Sequence, residues 1–405
     1  MRAPGGHLGS RRDSRDCARR PNRFSGHTRG RRSAVQGDPK AARRPGPGAC
    51  HGSGRPPPRR GLLRRRTAGH EDAQHHRADP GGVVISPPLT VSAVICTRDR
   101  PADLARCLAS LAELSPPPLE VVVIDQGDSP DLGAARLAFP ALRHQPTLER
   151  GLSRARNAGI TLARGEIVAF LDDDCTVGPG WVAQVAEVFG RHPEAGLVFG
   201  SVSDGVGDPE QYVPSYSITG ERTLRGRLAA ARAHGIGAAM YVRREAAAKV
   251  GEFDLLLGAG AEFRSSEDWD FTFRTLAAGF RVVESAAVQV VHHGGRPYAD
   301  GSAASLLRMN AFSHGAVHTK LLRCRDWVAL VLLVEELWSS LRLLRPLAGL
   351  AGKPTNAGRL LSYCRGLAAG WGRPVDAGTR TFRPSSATSS PLQSLRSSST
   401  EAPQP

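Results

Sequence analysis

The sequence predicts an α/β fold: a mainly parallel, doubly wound sheet with a helical C-terminal extension. Three observations carry this. From Thr90 onward, short runs rich in β-branched residues alternate with segments whose apolar residues recur at helical spacing. The strand-like runs are apolar on both faces, as in "VSAVIC", "VVVI" and "IVAFL", which suits strands covered by helices above and below. One of these runs, residues 167–171, ends in three consecutive carboxylates, Asp172, Asp173 and Asp174. Open α/β sheets bind their ligands outside such carboxyl ends.

The elements follow in order. "TVSAVICT" reads as a first strand. "RPADLARCLASLAEL" follows as a helix with Leu104, Cys107, Leu108 and Leu111 on one face. "LEVVVIDQG" is a second buried strand ending near Asp125. "GLSRARNAGITLAR" is a helix expected to stop at Gly165. "EIVAFLDDD" is the next strand, and "PGWVAQVAEVFGRH" a helix with Pro179 near its start. From about Leu197 the regularity weakens into a loop-rich part that holds "SSEDWDF" and "AVQVVHH". Residues 302–371 read as helical and apolar. The longest unbroken apolar run there, residues 327–334, is far short of the ~20 residues that span a bilayer. It fits a helical cap packed on the domain. The competing reading is an interfacial helix with Trp327, Trp338, Arg342 and Arg345 near lipid headgroups.

Net charge is +16 over 405 residues, but residues 1–80 hold 20 Lys and Arg against 6 Asp and Glu. That segment accounts for 14 of the 16 charges and is rich in Arg, Gly and Pro, with almost nothing to form a core. It is expected to be disordered and to precede the working protein, as an upstream start codon would produce. A basic arm for RNA or anionic lipid is the competing reading, and no specific nucleic-acid partner is expected. The organisation expected is a disordered segment over 1–82, an α/β domain over 83–300, a helical region over 301–372 and a disordered tail over 373–405. Seven Cys, with no CxxC pair, point to a reduced, cytoplasmic protein.

Like charges ~4 Å apart repel by ~1 kcal/mol in water and by several times more near a protein. A cluster such as Asp172–Asp173–Asp174 therefore needs a cation or a raised pKa. A hard divalent ion, Mg2+ or Mn2+, suits oxygen ligands and bridges to substrate phosphate. "DDDCTV" also fits the D-x-D-x-T-V pattern of haloacid-dehalogenase-like phosphohydrolases, with Asp172 as nucleophile, Asp174 as acid/base and Thr176 in support. That motif opens the first strand of its domain, whereas two strand-like runs precede it here.

Taken as an ordered set, "VSAVICTRDRPADLARCLASL", "LEVVVIDQGDSP", "GLSRARNAGITLARGEIVAFLDDDC" and "GAAMYVRREAAAKVGEFDLLLGAGAEFRSSEDWDFTFR" resemble the inverting family 2 glycosyltransferases, which have the nucleotide-sugar-binding GT-A fold. The likeness runs from about Val91 to Gly295. It implies that Thr97, Arg98 and Asp99 line the nucleotide pocket. Arg98 stands where many members carry an aromatic residue, and its planar guanidinium would pack on the base. Asp125 would accept N3–H of uracil or thymine, or N1–H of guanine. Arg154 and Asn157, three apart on one helix face, would reach the nucleotide. Asp172 would face the ribose or the metal, Asp173 would lie beside it, and Asp174 would ligate Mn2+ or Mg2+. Of the doublet after "AVQVV", His292 is the expected further ligand. Asp268 would act as general base, with Glu267 orienting it or the acceptor. Gly258 and Gly260 permit a loop that closes over the donor.

The resemblance thus implies transfer of a sugar from a nucleoside-diphosphate sugar to a glycan or lipid-linked glycan. The implied setting is cell-envelope or exopolysaccharide synthesis, in the cytoplasm or peripherally on the inner face of the cell membrane.

Overall fold

The computed structural model describes residues 88–127, 132, 139–342 and 356–384. The expectations for residues 1–82, for Arg345 and for the tail beyond 384 lie outside the described residues.

The chain opens on β1 (Val91–Thr97), α1 (Pro101–Ala112), β2 (Glu120–Asp125), β3 (Arg143–Pro146), α2 (Leu152–Leu162), β4 (Ile167–Asp172), β5 (Cys175–Val177) and α3 (Trp181–Arg191). β1, β2 and β4 are buried along nearly their whole length. Side chains alternate across the pleat. Ala93, Ile95, Val121, Val123, Ile167, Ala169 and Leu171 pack in one core with Leu104, Leu108, Trp181 and Val185 of α1 and α3. Val94, Val122, Val168 and Phe170 pack in the other with Ala155 of α2 and Phe253. Helices on both faces explain why these strands lack any polar side.

Beyond α3 come β6 (Ala195–Asp204), β7 (Gln211–Tyr212), β8 (Glu221–Leu224), a short 3-10 helix (Arg227–Arg232), β9 (Ala239–Arg243), α4 (Arg244–Val250), α5 (Glu267–Ala277), β10 (Arg281–His292) and β11 (Arg296–Pro297). The main sheet runs β3-β2-β1-β4-β9-β6-β10-β5, with β8 also on β10. Strands β3, β2, β1 and β4 are mutually parallel. β9 enters antiparallel between β4 and β6, and β6 runs parallel to β10. The register places Thr97 opposite Asp125 and Cys96 opposite Asp172, so β1, β2 and β4 deliver their last residues to one edge. β5 turns back against β10 and pairs Cys175 with His292, which carries the histidine to the same edge.

Gly165 does not stop α2. The helix ends at Leu162, and Ala163 is already extended. Gly165 is required for another reason: a Cβ there would lie 2.7 Å from the backbone nitrogen of Ser92.

The C-terminal region forms α6 (Ser302–Arg323), α7 (Val328–Arg342) and α8 (Asn356–Trp371), then a hairpin of β12 (Val375–Asp376) and β13 (Thr381–Phe382). The hairpin corrects the expectation of a disordered tail from 373. Phe382 is buried against Phe263, and its N–H donates to Asp254 at 2.8 Å. Asp254 and Asp270 in turn each lie 2.6 Å from the buried ammonium of Lys320 on α6. One aromatic among Ser, Thr and Pro was too weak a signal to mark a docked segment. On α7, Val328, Ala329 and Leu332 are buried, while Leu330, Val334 and Trp338, with Trp327 just before the helix, are exposed. Among the described residues no helix is long and apolar enough to cross a membrane.

Candidate active site

The strand ends of β1 and β4, the start of α5 and the first turns of α6 enclose a cavity of about 630 Å3. Thr97, Arg98, Asp172, Asp173, Asp174, Glu267, Asp268 and His292 all line it. These residues come from four separate stretches of the sequence, and the fold is what joins them.

The three aspartates have different partners. Asp173 accepts a hydrogen bond from the Thr97 hydroxyl at 2.8 Å and lies 3.1 Å from Nη1 of Arg100. Burial still pushes its carboxyl up to about 6, with Asp174 and Asp172 adding to the rise. Asp174 lies 2.9 Å from the same Arg100 nitrogen and 3.3 Å from Nε2 of His292. Asp172, one-third exposed, lies 3.6 Å from Nη2 of Arg156. Burial raises its pKa, Arg156 opposes the rise and Asp174 reinforces it. The sequence answers its own acidic cluster with two guanidiniums.

Arg156 was not anticipated. It is buried on α2, with Phe170 and Phe253 each 5.6 Å from its guanidinium. Its Nη1 donates to Glu267 at 2.9 Å and its Nη2 to the carbonyl of Gly237 at 3.3 Å. The Gly237 N–H donates to Asp268 at 2.8 Å. Asp268 also accepts from the N–H of Trp269 at 2.7 Å. A carboxylate offers about four lone-pair sites, so Asp268 keeps capacity to take a proton at the cavity wall. Glu267 is pushed up to about 7, by burial first and by Asp268 second, with Arg156 opposing.

Four expected nucleotide contacts fall elsewhere. Asn157 is buried and clamps the backbone of Phe253, donating to its carbonyl at 3.0 Å and accepting its N–H at 2.7 Å. Arg154 pairs with Glu149 at 3.2 Å and does not line the cavity. Asp99 is exposed in a left-handed turn (φ 56) outside the lining. Asp125 is 1% exposed: its Oδ1 accepts the N–H of Gly127 at 3.0 Å and its Oδ2 lies 3.2 Å from His144. The next residue, Gln126, faces the cavity instead. Its amide nitrogen donates to the carbonyls of Glu149 at 2.5 Å and Gly151 at 3.0 Å. Both N–H groups are thereby used, and the amide oxygen remains as an acceptor.

His292 and His293 are now distinguished. His293 meets the Thr176 hydroxyl at 2.9 Å. His292 is buried beside Asp174, and its Nδ1 has no hydrogen-bond partner. Asp174, Cys175 and His292 form a group able to hold a metal ion. In the metal-free protein burial pushes the Cys175 thiol well above the usual range. The oxygen and imidazole donors fit Mn2+ or Mg2+.

The glycine loop is anchored. Gly258 and Gly260 have φ of 89° and 82°. The Ala259 carbonyl accepts the N–H of Leu152 at 2.8 Å, and the Leu257 carbonyl accepts the Ser153 hydroxyl at 2.8 Å. These bonds fix the loop to the start of α2.

A half-parallel sheet with carboxylates at its strand ends, and an acidic pair opening a facing helix, is the layout of the GT-A fold. Known proteins point the same way. The chain belongs to glycosyl transferase family 2, whose model matches residues 92–251. It is 30% identical over 248 residues to succinoglycan biosynthesis protein ExoM of Rhizobium meliloti, covering 58% of this chain and 75% of that protein. It is 26% identical over 181 residues to the glucosyl-dolichyl phosphate glucuronosyltransferase of Haloferax volcanii. That match covers 42% of this chain and 58% of the relative, so the chain spans little more than half of that protein's length. Among solved structures, S. aureus TarS 1-349 superposes over 56% of this chain and 65% of that chain, with a TM-score of 0.43 and 17% identity.

Proposed function

We propose that this chain is a metal-dependent, inverting glycosyltransferase. It moves a sugar from a nucleoside-diphosphate sugar to a hydroxyl of a glycan or lipid-linked glycan. The observation that carries this is the placement of Asp174 beside His292, with Asp268 in the wall of the same cavity. Asp174 and His292 would hold Mn2+ or Mg2+, joined by an Asp172 oxygen turned to the ion or the ribose. The ion would supply Lewis acidity to the departing nucleoside diphosphate. Asp268 takes the proton of the acceptor hydroxyl as its oxygen attacks the anomeric carbon from the face opposite the diphosphate. Arg156, through Glu267 and Gly237, keeps that carboxylate in place. The phosphohydrolase reading finds no such support: Asp172 ends the fourth strand and is engaged by Arg156.

Cell-envelope or exopolysaccharide synthesis is the setting we favour, in line with the similarity to the succinoglycan biosynthesis protein of Rhizobium meliloti. The exposed stripe of Leu330, Val334 and Trp338 on α7, extended by Trp327 just before it, supports peripheral contact with the inner face of the membrane. The deciding experiment is a panel of UDP-, dTDP- and GDP-sugars with Mn2+, read as nucleoside-diphosphate release. Asp268→Asn should abolish transfer and spare nucleotide binding. A wild-type protein that neither binds nor turns over any of these donors would refute the reading.

A further inference from the structure

The guanidiniums that line the cavity differ in whether they have a carboxylate. Arg100 pairs with Asp173 and Asp174, Arg156 with Glu267 and Asp172, and Arg98 lies 3.7 Å from Asp99. Arg264 and Arg296 also line the cavity, and among the described residues neither has a carboxylate within ion-pair distance. Among the described residues the Arg296 guanidinium hydrogen-bonds the carbonyl of Gly295, at 3.1 Å.

Both lie against α6. Ser265, beside Arg264, donates its hydroxyl to Asn310 at 2.8 Å and accepts at its carbonyl from the Ser313 hydroxyl. Ser302 at the start of α6 donates to the carbonyl of Pro297, beside Arg296, at 3.1 Å. Arg264 is left-handed (φ 62), and so is Ser266 (φ 68). Such backbone is disfavoured at a non-glycine residue and persists only where the surroundings impose it. Leu306 and Met309 of α6 complete this wall with apolar surface.

We propose that this wall is an acceptor subsite for a hydroxyl compound that carries its own anion, a phosphate or a carboxylate, bound by Arg264 and Arg296. Both share the cavity wall with Asp268: Arg264 stands four residues before it in the loop into α5, and Arg296 lies four residues after His292, on β11. Guanidinium forks match both anions bidentately and stay charged at every working pH. The inference rests on the glycosyltransferase reading and narrows its acceptor.

The test uses the full chain saturated with Mn2+ and whichever of UDP, dTDP or GDP it binds. Glucose 1-phosphate, glucuronate and methyl glucoside are then titrated calorimetrically. At least one anionic sugar should bind about tenfold or more tighter than methyl glucoside, and the stronger of the two identifies phosphate or carboxylate. Arg264→Asn, which tolerates the left-handed backbone, combined with Arg296→Gln should erase that preference. The same double variant should keep nucleoside-diphosphate affinity within about twofold and melt as wild type does. Equal or absent binding of the three sugars to wild type overturns the subsite. A double variant that loses nucleoside-diphosphate affinity also overturns it, since the pair would then belong to the donor's diphosphate. A wild-type protein that binds no nucleoside diphosphate is a separate result, which refutes the function and this acceptor together.

Discussion

Arg156 and Glu267 form a buried ion pair at 2.9 Å between α2 and the first residue of α5. The pair ties the helix behind Asp172 to the helix that carries Asp268, the proposed general base. Because Arg156 also bonds the carbonyl of Gly237, whose N–H holds Asp268, one side chain sets the position of three acidic groups. Arg156→Lys should therefore fold but lose turnover. A lysine cannot span Glu267 and Gly237 together, and the missing charge-assisted bond is worth about 1.5–3 kcal/mol. The expected result is a fall in kcat of roughly 10–150-fold, with donor KM changed far less. A rise in donor KM alongside the fall in kcat, with an unchanged urea midpoint, would place Arg156 on the substrate instead.

The two histidines after β10 make opposite predictions. His292→Ala removes a donor beside Asp174, whereas His293→Ala removes the partner of Thr176. Calorimetric titration of nucleoside diphosphate with Mn2+ should show at least about tenfold weaker binding for His292→Ala and for Asp174→Ala. His293→Ala should stay close to wild type. Without the divalent ion, wild type and His292→Ala should bind the nucleotide alike.

What the sequence disclosed, and what it hid, follows from the reach of each interaction. Asp172, Asp173 and Asp174 were legible because a buried strand ending in acids is a local pattern, and β4 forms it. Asp268 was singled out by the family resemblance, and its place is the second residue of α5, in the cavity wall. Arg156 was not, because its partner Glu267 is 111 positions away and helical spacing alone cannot say which face turns inward. The i, i+3 rule selected Arg154 and Asn157. Packing of α2 on the sheet turned Arg156 and Asn157 inward and left Arg154 to Glu149. The antiparallel entry of β9 likewise depends on pairing between β4 and β6, which no local run encodes.

Gln126 supplies a test of base recognition. With both amide hydrogens held by the carbonyls of Glu149 and Gly151, its side chain presents only an acceptor. Uracil, thymine and guanine carry a ring N–H to meet it; cytosine and adenine present a bare ring nitrogen there. UDP or dTDP, or GDP, should therefore bind more tightly than CDP or ADP. Gln126→Leu should shrink that discrimination by about tenfold, since leaving the base N–H unpaired costs about 1–3 kcal/mol. Asp125→Asn should leave the ratio intact, as that carboxylate serves Gly127 and His144. The reverse pattern would return base reading to Asp125.

Glu267 gives stability an unusual dependence on pH in the metal-free protein. Its carboxyl is pushed from 4.5 to about 7 in the fold, by burial and then by Asp268. The folded state thus holds a proton that the unfolded chain releases near 4.5. By linkage, the stabilisation is fully present below the unfolded value and is lost as pH rises through about 7. Most surface carboxylates act in the opposite sense, since pairing lowers their pKa. The urea midpoint should accordingly fall between pH 5 and 7.5, with a slope from this group of at most about 1.4 kcal/mol per pH unit. Glu267→Gln keeps the shape without the proton and should flatten that limb. A midpoint that rises steadily over the same range in both proteins would show that Glu267 is ionised throughout, and Arg156 would then be its full counter-charge.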